Sequence, residues 1–310
     1  MQDPLATRVL GCAGDKPSPG DYGFASNCLT PAAQNGTAMT AQTSSFTTRD
    51  GTRIAYALHG DPAAKARVAM IHSLAMSGDY WRLVAERLVA QGVCAVAFDC
   101  RGHGASDKPA GPYTTELFAG DLADLFDHLG WDKAVIAGSS MGGSVALAFA
   151  VNNPARTAGL ALIDTTACYG DDAPKAWDQR ATAALEKGLA SLIDFQLTRW
   201  FGDDFRAQNS AIPQACVETF LRNDVPAYAA TCRMLGNFDL RARLGEIKVP
   251  TRIFVGEEDY ATPPAMAQVM HEGIAGSTLR ILAKARHLTP LEVPDDVTAE
   301  IMGVVKAVQG

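Results

Sequence analysis

The sequence predicts an α/β fold: a mostly parallel, eight-stranded sheet flanked by helices, with a helical cap inserted late in the chain. Three observations predict it. Short apolar runs of strand length alternate with helical stretches, a turn signal at the start of the patterned sequence opens a hairpin, and the strand signal lapses between about Thr165 and Gly236. Parallel strands read as apolar runs because both of their faces are covered, and the covering helices are the crossovers that connect them.

Residues 1 to about 45 are rich in Gly, Pro, Ala, Thr and Asn without sustained periodicity, and are expected to form a poorly ordered extension. Met39 offers an alternative start just before the patterned sequence, which would make the extension a leader rather than a module. From Phe46 the residues alternate, and the Asp50-Gly51 turn leads into Arg53 to Leu58, so a hairpin opens the fold. Apolar runs follow at Val68 to Ile71, Val93 to Phe98, Ala134 to Ala137 and Gly159 to Ile163, completing a first core segment over 46–164. The cap, 165–236, shows helical spacing and several aromatics, among them Trp177, Phe195, Trp200, Phe201, Phe220 and Tyr228. The runs Arg252 to Val255 and Leu279 to Leu282 belong to a second core segment, 237–310. Two helical stripes, Phe118-Leu122-Leu125-Phe126-Leu129 and Val297-Ile301-Val304-Val305, are spaced to pack on the sheet.

A chain of 310 residues can bury a full core, and its net charge of -7 is spread without long acidic or basic blocks. Neither nucleic acid nor an anionic membrane is expected as a partner. The seven cysteines are scattered and odd in number, with no close pair spaced for zinc or redox chemistry, and read as reduced thiols. No apolar run is long enough to span a bilayer, and the first residues lack the basic-then-apolar order of a secretory signal, so a cytoplasmic protein is expected. Composition leaves monomer and homodimer open.

The chemistry concentrates around Gly138-Ser139-Ser140-Met141-Gly142, where an apolar strand runs directly into an apolar helix. The Gly-x-Ser-x-Gly spacing suits a nucleophilic serine on a strained strand-to-helix turn, because side chains two positions before and after it would strike neighbouring backbone. The helix N-terminus then favours negative charge developing beside the hydroxyl. Ser140 is the candidate nucleophile; Ser139 should face elsewhere. The acid candidate is Asp259, which follows the strand Arg252 to Val255; Glu257, Glu258 and Asp164 are weaker alternatives. The base candidate is His287, which lies after the last strand and before the last helix. Order and positions match the α/β-hydrolase fold. His59, His128 and His271 read as structural, and His103 as part of a hydrogen-bonded loop shaping the floor of the site. His72 ends a strand, and the backbone N–H groups of Leu74 and Met141 are the expected oxyanion hole, at roughly 3 to 4 kcal/mol per donor. No cofactor or metal is expected, since the histidines lack ligand spacing and Gly138 to Gly143 fits neither phosphate-binding glycine pattern.

From Phe46 to Val308 the chain resembles the 3-oxoadipate enol-lactonase group of α/β hydrolases. The residues that carry the likeness are His72-Ser73-Leu74, Asp99-x-Arg101-Gly102-His103-Gly104-x-Ser106, Gly138-x-Ser140-Met141-Gly142-Gly143, Asp259-x-x-Thr262-Pro263-Pro264, His287-Leu288-x-x-x-Glu292-x-Pro294, and in the cap Trp177-x-x-Arg180 and Arg199-Trp200-Phe201. The resemblance implies hydrolysis of a small-molecule ester or lactone, with Ser73, Trp177, Arg180 and Trp200 around the substrate and Arg180 facing a substrate carboxylate. A C–C bond hydrolase of ring-cleavage products uses the same triad, but such enzymes tend to carry an aromatic residue where this chain has Leu288. A perhydrolase side activity is compatible with the site. A ligand-binding receptor on this fold is disfavoured because every residue needed for turnover is present, and a haloalkane dehalogenase would have aspartate at position 140.

Overall fold

The computed structural model describes residues 41–310. Most of the expected extension therefore lies outside the described residues. Eight strands form one sheet: β1 (Gln42–Thr47), β2 (Arg53–His59), β3 (Arg67–Ile71), β4 (Cys94–Phe98), β5 (Ala134–Ser139), β6 (Thr157–Ile163), β7 (Thr251–Gly256) and β8 (Thr278–Leu282). Their spatial order is β1-β2-β4-β3-β5-β6-β7-β8. β2 runs antiparallel to both of its neighbours, and all later pairings are parallel.

The helices among the described residues are α1 (Arg82–Val89), α2 (Thr115–Leu129), α3 (Met141–Asn152), α4 (Ala173–Lys187), α5 (Ile193–Trp200), α6 (Asp203–Gln208), α7 (Ala211–Leu221), α8 (Val225–Gly236), α9 (Pro264–Gly273), α10 (Thr289–Glu292) and α11 (Pro294–Gln309). α4 to α8 fill the interval between β6 and β7 where strand patterning is missing. α2 is started by the Thr114 side chain, which accepts from the Leu117 N–H at 3.1 Å, and is stopped by Gly130 in the left-handed region at φ 64°. Of its stripe, Phe118, Leu122, Leu125 and Phe126 are buried, as are Val297, Ile301, Val304 and Val305 of α11. The interior strands β4 and β5 are buried along their whole length.

Two expectations are corrected at the margins of the sheet. β1 begins at Gln42, ahead of Phe46, because ladder hydrogen bonds to Ala55 through Leu58 extend the strand through exposed polar residues that carry no apolar signal. β8 is an edge strand and not a doubly covered one: Ile281 is 49% exposed, while Arg280 on the same strand pairs with Asp296 and Glu300 of α11 at 2.5 and 3.1 Å.

A buried ionic joint ties the opening hairpin to the helical layer. Arg101, in the loop after β4, donates through Nε and Nη2 to Asp121 of α2 at 2.7 and 2.5 Å, and its Nη1 lies 2.9 Å from Asp50 in the hairpin turn. The Arg101 and Asp121 side chains are 3% and 2% exposed. Neither charge can be left alone there, since losing one partner strands the other in a low-dielectric interior. Arg101→Met is expected to lower unfolding stability by about 3–5 kcal/mol in urea titration, with an unchanged slope.

Candidate active site

Three chain segments meet above the carboxyl ends of the central strands. The first is the turn from β5 to α3. Ser140 sits at φ 54°, ψ -118°, a conformation costing roughly 1–3 kcal/mol for a non-glycine residue. Its N–H donates to Ile163 O of β6 at 2.9 Å, and its carbonyl accepts from the Thr165 hydroxyl at 2.7 Å and the Gly143 N–H at 2.9 Å. The flanking glycines are required by contact: a Cβ at Gly138 would lie 2.3 Å from Gly142 O, and one at Gly142 would lie 2.1 Å from Ile71 O. Ser139 points away, with its Oγ 2.8 Å from the Tyr80 hydroxyl.

The second segment follows β7. Asp259, 1% exposed, accepts from the Ala261 and Thr262 N–H groups on Oδ1 at 2.7 and 2.9 Å, and from the Thr262 hydroxyl on Oδ2 at 2.8 Å. The third is the loop after β8. His287 donates from Nδ1 to Asp259 Oδ2 at 2.8 Å, which leaves Nε2 as the acceptor for the Ser140 hydroxyl at 2.9 Å. Serine, histidine and aspartate thus form one unbroken hydrogen-bond chain.

The alternative acids stand elsewhere. Glu258 pairs with Arg286 at 2.9 Å, and Glu257 is exposed. Asp164, fully buried at the end of β6 with φ 46°, accepts from Gly256 N–H at 3.1 Å and from the N–H and hydroxyl of Thr289 at 3.2 and 2.5 Å. Burial, and then the charge of Asp259, push the Asp164 carboxyl well above the usual carboxylate range.

On the other side of Ser140, His72 donates from Nδ1 to Ser73 O at 2.7 Å and accepts the Cys100 N–H on Nε2 at 3.0 Å. Burial holds it neutral, with its pKa lowered to about 4. This locks the Ser73-Leu74-Ala75 turn, where Ala75 adopts φ 61°. Among the described residues the N–H groups of Leu74 and Met141 make no hydrogen bond within the protein. His103 is buried edge-on to His72 and Phe118. His128 stacks on Phe46 and bonds the Tyr56 hydroxyl at 3.0 Å, and His271 bonds Ser277 at 2.8 Å.

In the helical segment between β6 and β7, Arg180 lies over the face of Trp177, 4.9 Å from the ring centre, and donates from Nε to the Tyr228 hydroxyl at 2.7 Å. Among the described residues it has no carboxylate partner. Trp200 is buried, 4% exposed, with its indole edge-on to Phe220 at 5.7 Å. Its backbone carbonyl accepts from the N–H groups of His287 and Leu288 at 3.2 and 2.9 Å. Arg286 reinforces this junction, donating from Nη1 to the Thr198 and Phe201 carbonyls at 2.8 and 3.0 Å. Glu292 accepts from the N–H groups of Gly202 and Arg286, both at 2.9 Å. These contacts were invisible in the sequence because most acceptors are backbone atoms. A separate cleft of about 760 Å³ is lined by Tyr113, Glu116, Arg233, Met234 and Phe238 and contains none of Ser140, Asp259 and His287. Among the described residues no cluster of His, Cys, Asp and Glu could hold a metal ion, and no helix is long and apolar enough to cross a membrane.

Removing the Arg286 guanidinium strips two carbonyls and Glu258 of a charged donor. Arg286→Met is expected to cost about 2–3 kcal/mol in urea unfolding.

Comparison with known proteins accords with this geometry. The alpha/beta hydrolase family profile matches residues 68–301. The 3-oxoadipate enol-lactonase 1 of Acinetobacter baylyi is 30% identical over 265 residues, covering 85% of this chain and 97% of its own. The crystal structure of the enol-lactonase from Burkholderia xenovorans LB400 superposes with a TM-score of 0.81 at 30% identity, covering 85% of this chain and all of that one (100%). A thermophilic esterase from Thermogutta terrifontis superposes at 0.80 with 28% identity, covering 87% of this chain and 100% of its own. The chain belongs to the alpha/beta hydrolase family, as a 3-oxoadipate enol-lactonase-like member.

Proposed function

We propose that this protein is a carboxylic ester or lactone hydrolase that works through an acyl-enzyme on Ser140. The observation that carries the reading is the continuous relay from Asp259 Oδ2 through His287 to Ser140 Oγ, at 2.8 and 2.9 Å. Ser140 attacks the scissile carbonyl carbon as its proton passes to His287 Nε2, and Asp259 stabilises the imidazolium that results. The free N–H groups of Leu74 and Met141 receive the oxyanion. The C–O bond then breaks, and the leaving oxygen takes the proton from Nε2. Water attacks the acyl carbon as its proton passes to the same nitrogen, the bond from that carbon to Ser140 Oγ breaks, Oγ takes the proton back from Nε2, and the free acid departs. No metal or cofactor takes part in this sequence.

The segment 165–236 acts as the cap over this centre. Its Arg180 supports a substrate bearing a carboxylate: a guanidinium without an acidic partner among the described residues, backed by Trp177 and Tyr228, is prepared for an anion from a ligand. Ser73 borders the site beside the oxyanion loop. The names of the relatives favour an enol-lactone among such substrates. The five described cysteines are free thiols, which fits a cytoplasmic setting.

A fluorophosphonate probe should label Ser140 in the folded protein, and Ser140→Ala should lose about 10⁶-fold in kcat. An absence of labelling in folded protein would favour a ligand-binding role. Arg180→Leu should raise KM about 10- to 100-fold for carboxylate-bearing lactones while leaving neutral aryl acetates unchanged, measured by initial rates on both classes.

A further inference from the structure

Tyr169 lies in the loop between β6 and α4, outside every sequence motif. Its ring is edge-on to Trp177, with centroids 5.2 Å apart. Its hydroxyl is buried within reach of the hydroxyls of Ser140 and Ser144, but among the described residues no hydrogen bond of good geometry is made to it. A buried phenol held only by poorly aligned neighbouring hydroxyls is under-satisfied, so an acceptor that enters beside Ser140 gains a ready donor. Burial pushes the phenol up to about 12, so it remains a protonated donor throughout the neutral range.

The order of side chains indicates which acceptor. Ser140, Tyr169, Trp177 and Arg180 form a continuous path from nucleophile to guanidinium. A substrate whose scissile carbonyl sits at Ser140 and whose carboxylate reaches Arg180 must pass Tyr169 on the way. The first acceptor beyond the carbonyl carbon on that path, in an ester or lactone whose alcohol or enol part carries the carboxylate, is the alkoxy oxygen.

We infer that Tyr169 is a catalytic residue, donating its O–H to the leaving oxygen of the substrate, and that the substrate carries its carboxylate on the leaving-group side. This rests on the acyl-enzyme reading. As the tetrahedral intermediate collapses, the C–O electron pair moves to the leaving oxygen, His287 Nε2 delivers the proton, and Tyr169 keeps its own while its hydrogen bond strengthens against the growing negative charge. In an enol-lactone the departing enol stays attached to the acyl group, and Tyr169 meets the ring oxygen.

The test is kcat/KM, which reports acylation, across acetate esters whose leaving groups range from nitrophenol to simple alcohols. Tyr169→Phe should lose about 10- to 100-fold with poor, basic leaving groups and little with nitrophenol. Replacement of Tyr169 by 3,5-difluorotyrosine, of nearly the same shape and a stronger donor, should shift the same series in the opposite direction. Equal losses across the series, or no response to either replacement, would overturn the inference. Fluorophosphonate labelling separates the causes. A wild-type protein that neither labels nor turns over any ester refutes the hydrolase reading, whereas labelling and turnover with a flat leaving-group response refute only the role of Tyr169.

Discussion

The backbone at Ser140 is the constraint on which the remainder of the site depends. A residue with a side chain is held at positive φ between a strand and a helix, and it persists there because four hydrogen bonds, to β6, to Thr165 and to Gly143 and Ser144 of α3, over-determine it. The two flanking glycines leave room for the adjacent strand end and helix to close on the turn. The placement of β5 between β3 and β6 then does the rest. β3 delivers the Leu74 turn on one side, and β6 with β7 delivers the carboxylates on the other. The distance from hydroxyl to imidazole is therefore a property of the sheet as a whole.

Burying two carboxyl groups near one another demands a division of labour. Asp259 is surrounded by donors from its own loop, two N–H groups and a hydroxyl, which fix its carboxyl group with Oδ2 facing His287. Asp164 instead spans the end of β7 and the first turn of α10, and its raised pKa reflects its deep burial beside a neighbouring charge. One carboxyl orients the imidazole, and the other fastens the strand end to the helix that follows the histidine.

Much of this was legible in the chain itself. Ser140, Asp259 and His287 stand immediately beyond apolar strands, where residue type and position coincide, and glycine spacing marks the strained turn. The β1 boundary was misplaced because polar residues paired through backbone carry no hydrophobic signal, and β8 read as buried because its apolar residues conceal an edge position. Tyr169 escaped notice since a lone tyrosine in an irregular loop has no pattern; its buried, poorly satisfied hydroxyl beside Ser140 singles it out only in three dimensions. Trp200 drew attention for its indole, while its contact with the histidine loop is made by the carbonyl, an atom every residue type shares.

That last contact sets the terms on which the helical segment between β6 and β7 can be exchanged or diversified. Carbonyls at Thr198, Trp200 and Phe201 grip the His287 loop irrespective of which side chains they carry, so the restriction falls on spacing and not on chemistry. Substitutions along this stretch preserve the grip so long as the peptide path is kept, whereas a single inserted or deleted residue would shift the carbonyls out of register with the loop. A chimera that borrows the corresponding helical segment from a related chain must import this short stretch at its original length, or the His287 loop loses its seat.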